Sequence, residues 1–453
     1  MSRYKALRHG GAILVAVAAL ATGGCDAVDS LLEANNPAAI REDQLDDKTL
    51  VEVLANSVIG QFNAVYLDPV LWTSSMLTDE HTTGINWPST QELGVRRLPY
   101  NVGPANDMFR ALSRMRFMGD SISSRFDTLL DEPTKDRRKA LVLAYAGYAY
   151  TLMAEIMCEA TIDVGEKIYT PQELAEIAIS RFESAINVAQ AAGPGAEDVL
   201  NLAYVGLARA ATAAGDKAKV MAAAEKVPSD FVWWVEYKDQ VMSNFFAAQV
   251  RGGNHNMGVH PRVLSAFGTY GEPIPPEAQT DPRVQFNPAP RVGHDARTIL
   301  YTPYQSLSFS GYTGGLQTDP DPNKRPILYE NDTDVRLGSY LDAMHNYYEA
   351  AGPDGVGPEG TTLEFVNARR AVGNQPPVNL SGDELMAELR EQRLRDLFMG
   401  GFRLGDLRRW KAQGVGDFFP KGTHPNPNLG EYGTAECFPL PIAEYVGNPN
   451  IRK

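Results

Sequence analysis

Residues Ser381 to Trp410 read SGDELMAELREQRLRDLFMGGFRLGDLRRW, and how they fold decides the class of the whole chain. Ser381 and Glu384 stand at capping-box spacing, so hydroxyl and carboxylate can each satisfy an orphan N–H at a helix start. Leu385, Leu389, Leu394, Leu397 and Phe398 follow at helical intervals and make one apolar stripe. Gly400 and Gly401 end that helix, because paired glycines make further helix costly and permit a left-handed exit. A second short amphipathic segment sets Phe402, Leu404, Leu407 and Trp410 between Arg403, Asp406, Arg408 and Arg409. Glu391 and Arg395 are four apart in the favourable order for an ion pair. Arginines and carboxylates beside so large a stripe act as staples that hold a terminal helix to a body. We expect no catalytic residue here.

The same residues carry a family resemblance. Glu391, Arg393, Leu397, Phe398, Gly401, Arg403, Asp406, Leu407, Arg409 and Trp410 fall in one unbroken register that resembles the C-terminal hallmark of the SusD/RagB family of nutrient-binding outer-membrane lipoproteins. The tail Pro439-Leu440-Pro441-Ile442-Ala443-Glu444, with Asn448-Pro449-Asn450, fits that family's ending. Gln392 and Gly400 depart from it, each standing where the family usually carries a charge. The resemblance implies a predominantly α fold: tetratricopeptide-like helix pairs in a single globular body, with loop-rich insertions and few short strands. It also implies capture of an oligosaccharide or peptide at the cell surface and delivery to a SusC-like, TonB-dependent β-barrel, with no cofactor.

The N-terminus points to export. Arg3, Lys5 and Arg8 precede the ten-residue apolar run Ala12 to Ala21, too short to span a bilayer and laid out as a secretory signal. Thr22-Gly23-Gly24-Cys25 resembles a lipoprotein cleavage site, although Thr22 replaces the usual leucine. Residues 1–24 are thus expected to be a signal peptide and Cys25 the lipidated residue. Residues 25–48 would be an acidic tether and 49–453 the body, anchored at the outer membrane. Removing three cations and no acids takes the formal charge from −14 to −17. That balance repels phosphates and excludes nucleic acid as a partner. Of three cysteines, Cys158 and Cys437 remain; in an oxidising compartment an even remainder favours a disulfide, the alternative being two buried thiols.

Residues Leu50 to Tyr66 and Ala105 to Leu130 have helical periods, whereas Trp72 to Asn101 reads as a loop by composition. From residue 136 to 227 the chain is alanine-rich and helical. Leu143, Gly147 and Tyr150, then Ala178, Phe182 and Ala185, sit at the spacings of a tetratricopeptide helix pair, with Cys158 to Pro171 inserted between. A weaker second unit has Gly206, Ala218 and Ala222 around a Gly215-Asp216 turn. Residues 230–331 form a loop-rich insertion containing Trp233, Trp234 and an Asp281-Pro282-Arg283 element, with short strands expected near Thr298 to Tyr304. Helices resume at Asp334 to Ala351 and Leu363 to Ala371, and residues 381–453 hold the hallmark region.

No metal-ligand spacing, nucleophile elbow or phosphate-binding glycine loop occurs. His255 and His260, five apart in a glycine-rich stretch, do not make a metal motif. Adjacent Asp79 and Glu80 do not face each other as a hydrolytic pair must, and read as surface loop charges. Binding has better support than catalysis: rings on loops stack on sugar faces while amides and guanidinium groups add directional hydrogen bonds. Two stretches offer that mixture, one with Trp87, Arg96, Tyr100 and Asn101, the other with Tyr270, Tyr301, Tyr304 and Tyr312. The alternative function is a tetratricopeptide-type scaffold of an envelope complex that binds no nutrient.

Overall fold

The computed structural model describes residues 45–250, 256–310 and 329–451. Residues 1–50 and 51–453 are two separate compact units. Of the first, the described part is short and ends in the 3-10 turn Lys48–Leu50. The expected signal peptide and Cys25 lie outside the described residues.

The second unit is built on helices: α1 (Val51–Val65), α2 (Gly103–Leu129), α3 (Arg137–Ile156), α4 (Pro171–Ala192), α5 (Glu197–Ala214), α6 (Lys217–Ala224), α7 (Tyr340–Ala351), α8 (Thr362–Val372), α9 (Gly382–Asp396) and α10 (Arg403–Ala412). Helix α3 is buried on all faces over nearly its whole length, which its run of Ala, Leu, Val and Tyr permits. Around it pack α1, α2, α4 and α5, with α7 lying against α5 and α6. The helices start where the sequence supplies caps. Thr170 and Glu173 form a reciprocal capping box on α4, Thr361 and Glu364 another on α8, and Asp216 caps α6. Gly215, at φ +77°, makes the left-handed turn between α5 and α6.

Close approach of the helix pairs rests on Phe182. Its ring lies between Gly147 of α3 and Gly206 of α5, where an added Cβ would come within 2.8 Å and 2.1 Å of it respectively. Tyr148 meets the same ring edge-on at 5.1 Å. Gly147 of the first predicted repeat and Gly206 of the second thus make room together for one phenyl group. The second differs from expectation: Ala218 and Ala222 are exposed, and Val220, Ala223 and Ala224 carry the buried face of α6.

The strands are short, antiparallel and paired two by two. Residues His81–Thr83 pair with Met257–Val259, Val284–Phe286 with Pro303–Ser306, and Val232–Val235 with Val335–Ser339. The last pairing corrects the expected helix from Asp334: residues 335–339 are strand, and Ser339 then caps α7 through the N–H of Asp342. Trp72 to Asn101 is likewise no plain loop, since it contains the helical turns Trp72–Ser75 and Pro88–Gly94 besides the strand. Ser381 precedes α9 but makes no side-chain cap, so the predicted capping box does not form. Cys158 and Cys437 are joined by a disulfide across 279 residues, flanked by backbone hydrogen bonds from Cys158 N to Phe438 O and Phe438 N to Ile156 O.

The glycine sockets give a direct test. Gly206→Ala is expected to lose about 1–3 kcal/mol through overpacking, read as a lower urea midpoint at unchanged slope. Gly195→Ala, where nothing lies within 4 Å of the new methyl group, is the control. Equal midpoints for the two variants would contradict the wedge.

Candidate binding surface

The segment that was expected to carry ligand residues is first of all held from beneath. Arg403 clamps Asp79 through two bonds, Nε to Oδ1 at 2.6 Å and Nη2 to Oδ2 at 2.7 Å. Arg262 adds a third contact to Asp79 at 3.1 Å and also pairs with Glu391. Glu80 accepts a 2.9 Å hydrogen bond from the Met399 N–H. Asp79 and Glu80 are 1% and 2% exposed, so they are buried staples and not the surface charges expected from sequence. Burial opposes ionisation of Asp79, but Arg403 and Arg262 outweigh it and hold its pKa below the ordinary value. For Glu80 burial wins and pushes the pKa up to about 8, which keeps the carboxyl protonated at neutral pH. Neither group is free to act on a substrate.

The hallmark residues complete this support. Arg393 donates from Nε to Asp406 at 2.7 Å and from Nη1 to Asn346 Oδ1 at 3.0 Å. Arg409 bridges Asp406 and Glu349, and the Trp410 Nε1–H donates to Glu349 at 2.6 Å. The predicted Glu391–Arg395 pair is absent because both side chains have other partners. Glu391 takes Arg262 and Arg395 takes Asp281 at 3.1 Å.

On this support the structure sorts the candidate ligand residues into two groups. Trp87 is 60% exposed and Tyr100 is 53% exposed, with Asn101 exposed beside it. Arg96 is instead an internal anchor. It is buried at φ +59°, donates to Pro420 O at 2.6 Å and Ala435 O at 3.0 Å, and lies 4.5 Å over the Phe419 ring. Tyr301 is fully buried between Tyr270 and Phe286, its hydroxyl donating to Glu272 O. Tyr270 is half-buried and donates to Ile299 O at 2.6 Å. Tyr304 lies on the strand Pro303–Ser306, and Tyr312 and His255 lie outside the described residues.

Sequence reasoning missed a polar cluster that meets the same segment at Gly84 and Glu80. Asp295 N donates to Gly84 O at 2.8 Å, and the approach is so close that a Cβ on Gly293 would sit 2.8 Å from Gly84 Cα. The Asp295 carboxylate accepts from the N–H groups of Arg297 and Thr298 and from Asn426 Nδ2 at 2.8 Å. His260 Nε2 meets the Tyr432 hydroxyl at 3.2 Å and His424 packs its ring 5.2 Å from Tyr432. No local signal marks this set, since its members come from three parts of the chain, around residues 84, 260–298 and 424–432. Elsewhere a groove of about 410 Å³ is lined by Phe231, Trp234, Tyr340 and Arg336. Trp234 is its one tryptophan, whereas Trp233 donates from Nε1 to the Tyr145 hydroxyl at 3.2 Å.

No family model and no curated protein matches the sequence. Solved structures do match the fold. A SusD superfamily protein from Parabacteroides distasonis superposes with a TM-score of 0.64 at 14% identity, over 89% of this chain and 98% of that one. A SusD-like carbohydrate binding protein from Bacteroides fragilis gives 0.61 at 14% identity, over 90% and 99%. Surface glycan-binding protein A from Bacteroides thetaiotaomicron gives 0.64 at 10% identity, over 90% and 98%. The chain thus has the SusD-like fold, predominantly α with few short strands, as the C-terminal resemblance implied.

The buried acid gives a pH prediction. An unfolded glutamate titrates near 4.3, so the folded protein, with Glu80 near 8, keeps a proton that the unfolded chain loses. Its contribution to stability is full below about 4.3 and is lost as pH rises through about 8. His81, His260 and His424, whose pKa values burial lowers to about 3, 4 and 4, act oppositely and cost stability as pH falls below about 6.5. Glu80→Gln should therefore flatten the alkaline limb of melting temperature against pH, gaining most over wild type near pH 9, and leave the acid limb unchanged. Parallel profiles for the two proteins would show that Glu80 is ionised in the fold.

Proposed function

We propose that this chain is a lipid-anchored, cell-surface glycan-binding protein that captures an oligosaccharide and hands it to a SusC-like, TonB-dependent β-barrel. The observation that carries the reading is Trp87. The indole stands 60% exposed at the start of the helical turn Pro88–Gly94, on a segment whose neighbours from Trp72 to Ile85 are buried. An exposed ring on a fixed backbone offers a sugar face a stacking partner with little ordering cost. Tyr100 and Asn101 follow on the same segment, and Tyr270 adds a half-buried ring from the second stretch.

The fold adds support, because two of its solved neighbours are described as a carbohydrate binding protein and a surface glycan-binding protein. Binding rather than catalysis suits the chemistry of the segment, where Asp79 and Glu80 are consumed in holding it and the third acid, Glu92, pairs with Arg97. Export and anchoring rest on the Arg3-to-Cys25 pattern, and the barrel partner on the hallmark resemblance.

Affinity electrophoresis against a panel of plant, host and microbial glycans tests the reading. At least one should retard the protein, and Trp87→Ala should weaken that interaction tenfold or more, about 1.4 kcal/mol, with an unchanged melting temperature. Tyr301→Phe, which leaves the buried ring in place, should bind as wild type. Retardation that is the same with and without the indole would remove Trp87 from the site. A gentle-detergent pull-down that returns no large barrel would remove the transport role.

A further inference from the structure

Three guanidinium groups surround the buried indole of Trp410, those of Arg403, Arg409 and Arg390, at 5.2, 5.6 and 5.8 Å from the ring. Arg403 is paired with Asp79, and Arg409 with Glu349 and Asp406. Arg393 is matched with Asp406, Arg395 with Asp281, Arg369 with Asp396 and Arg370 with Glu388, while Arg408 donates to the carbonyls of Ala154 and Glu155. Arg390 makes no ion pair among the described residues. The charges of Glu349, Asp383 and Glu391 act on Arg390 from beyond ion-pair distance.

Arg390 faces a cavity of about 470 Å³ between α6, α7, α9 and α10. Lys217, the first residue of α6, lines the same cavity and likewise makes no ion pair among the described residues. The two acids in the wall are Glu349, already held by Arg409 and the Trp410 N–H, and Asp383. Asn346, also in the wall and 1% exposed, has its Oδ1 fixed by Arg393 while its Nδ2 has no acceptor among the described residues. The cavity therefore carries an excess of donors and of positive charge in a protein that is strongly acidic as a whole.

We propose that Arg390 and Lys217 form a binding site for a carboxylate, with the guanidinium gripping both oxygens and the ammonium adding a second charge. A planar fork held against an indole is preorganised for a bidentate carboxylate. Burial lowers the pKa of Arg390, and an incoming anion would offset that desolvation. The volume accommodates more than a bare ion. A carboxylate of this size comes from a sugar acid or from the C-terminus of a short peptide. The site is separate from the Trp87 surface, and its argument uses none of that surface's residues.

The test is calorimetric titration of the purified full chain at low ionic strength with sodium D-glucuronate, trialanine, neutral D-glucose and sodium acetate. Glucuronate or trialanine should bind and glucose should not; whichever of the two binds identifies the source of the carboxylate. Arg390→Gln should weaken binding tenfold or more, and Arg390→Lys should retain part of it. Lys217→Gln, at an exposed position whose loss does not threaten the fold, should weaken it severalfold. Trp87→Ala should leave it unchanged, so that failure of the glycan surface and failure of this site are read separately. No binding of either larger carboxylate, acetate binding as tightly as both, or undiminished binding by the Arg390→Gln and Lys217→Gln variants would overturn the proposal. Loss of binding in Trp87→Ala would overturn it too, by placing the carboxylate on the other surface.

Discussion

The bidentate pair between Arg403 and Asp79 is the interaction on which the rest of the structure depends. Both partners are almost wholly buried, and a buried charge is tolerated only when it is paired and hydrogen-bonded. Neither the hallmark helices nor the early segment can therefore take its place without the other. Asp396 extends the same logic, accepting from Arg283, Arg369 and His345 with no exposure of its carboxylate. Those cations hold its pKa far below the ordinary carboxylate range against the opposing effect of burial. Burial also lowers the pKa of His345, although Asp396 favours its charged form. Such a lattice contributes less to net stability than its contact distances suggest, since desolvation offsets most of the attraction. Its effect is on uniqueness: a misdocked C-terminal helix would leave several charges buried and alone.

That constraint explains why a loop-rich segment can hold an exposed ring in a fixed place at all. Loops usually trade order for exposure. Here Asp79 and Glu80 fix one end of the segment, Arg96 fixes the other through two carbonyls, and Arg97 donates to Glu431 O at 3.1 Å. Between these anchors the backbone contacts Asn256 and Asp295. The backbone of Trp87 caps the turn Pro88–Gly94 while its indole is left 60% exposed.

The hallmark, the helical body and the first helix pair were legible in the sequence because an apolar helical period and small residues at helix-pair spacing are short-range signals, although the capping box expected at Ser381 does not form. The missed features share a different origin. Asp79 looks like a loop charge because its partner Arg403 is 324 residues away. Arg96 has the composition of a ligand residue and the surroundings of an anchor, its acceptors lying 324 and 339 residues on. Tyr301 and Trp87 are both aromatic residues in loop-like stretches, and only tertiary packing separates the buried one from the exposed one. Residues Val335–Ser339 kept a helix-compatible pattern but found a strand partner about a hundred residues earlier. Ala218 and Ala222 had the right period with the wrong face, an error that alanine invites because it fits either side of a helix.

The exit from α9 shows how sequence and function meet in one turn. Met399 adopts φ +60° and aims its N–H at Glu80, beneath the presented segment. Gly401 follows at φ +81°, where a Cβ would strike Leu71 at 2.8 Å, and its carbonyl accepts from Arg209 of α5 at 2.9 Å. Arg209 in turn lies 3.9 Å over the Phe402 ring and is paired with Glu155 of α3. A side chain at residue 401 would be strained by the backbone and blocked by its neighbour at once. The helix itself ends at Asp396, ahead of the two glycines expected to stop it, and Gly401 instead lets the following turn touch the early segment, the helix-pair body and the last helix together. The turn is thus one of several anchors that tie the segment bearing Trp87 to the helical body, beside those made by Arg96 and Arg97.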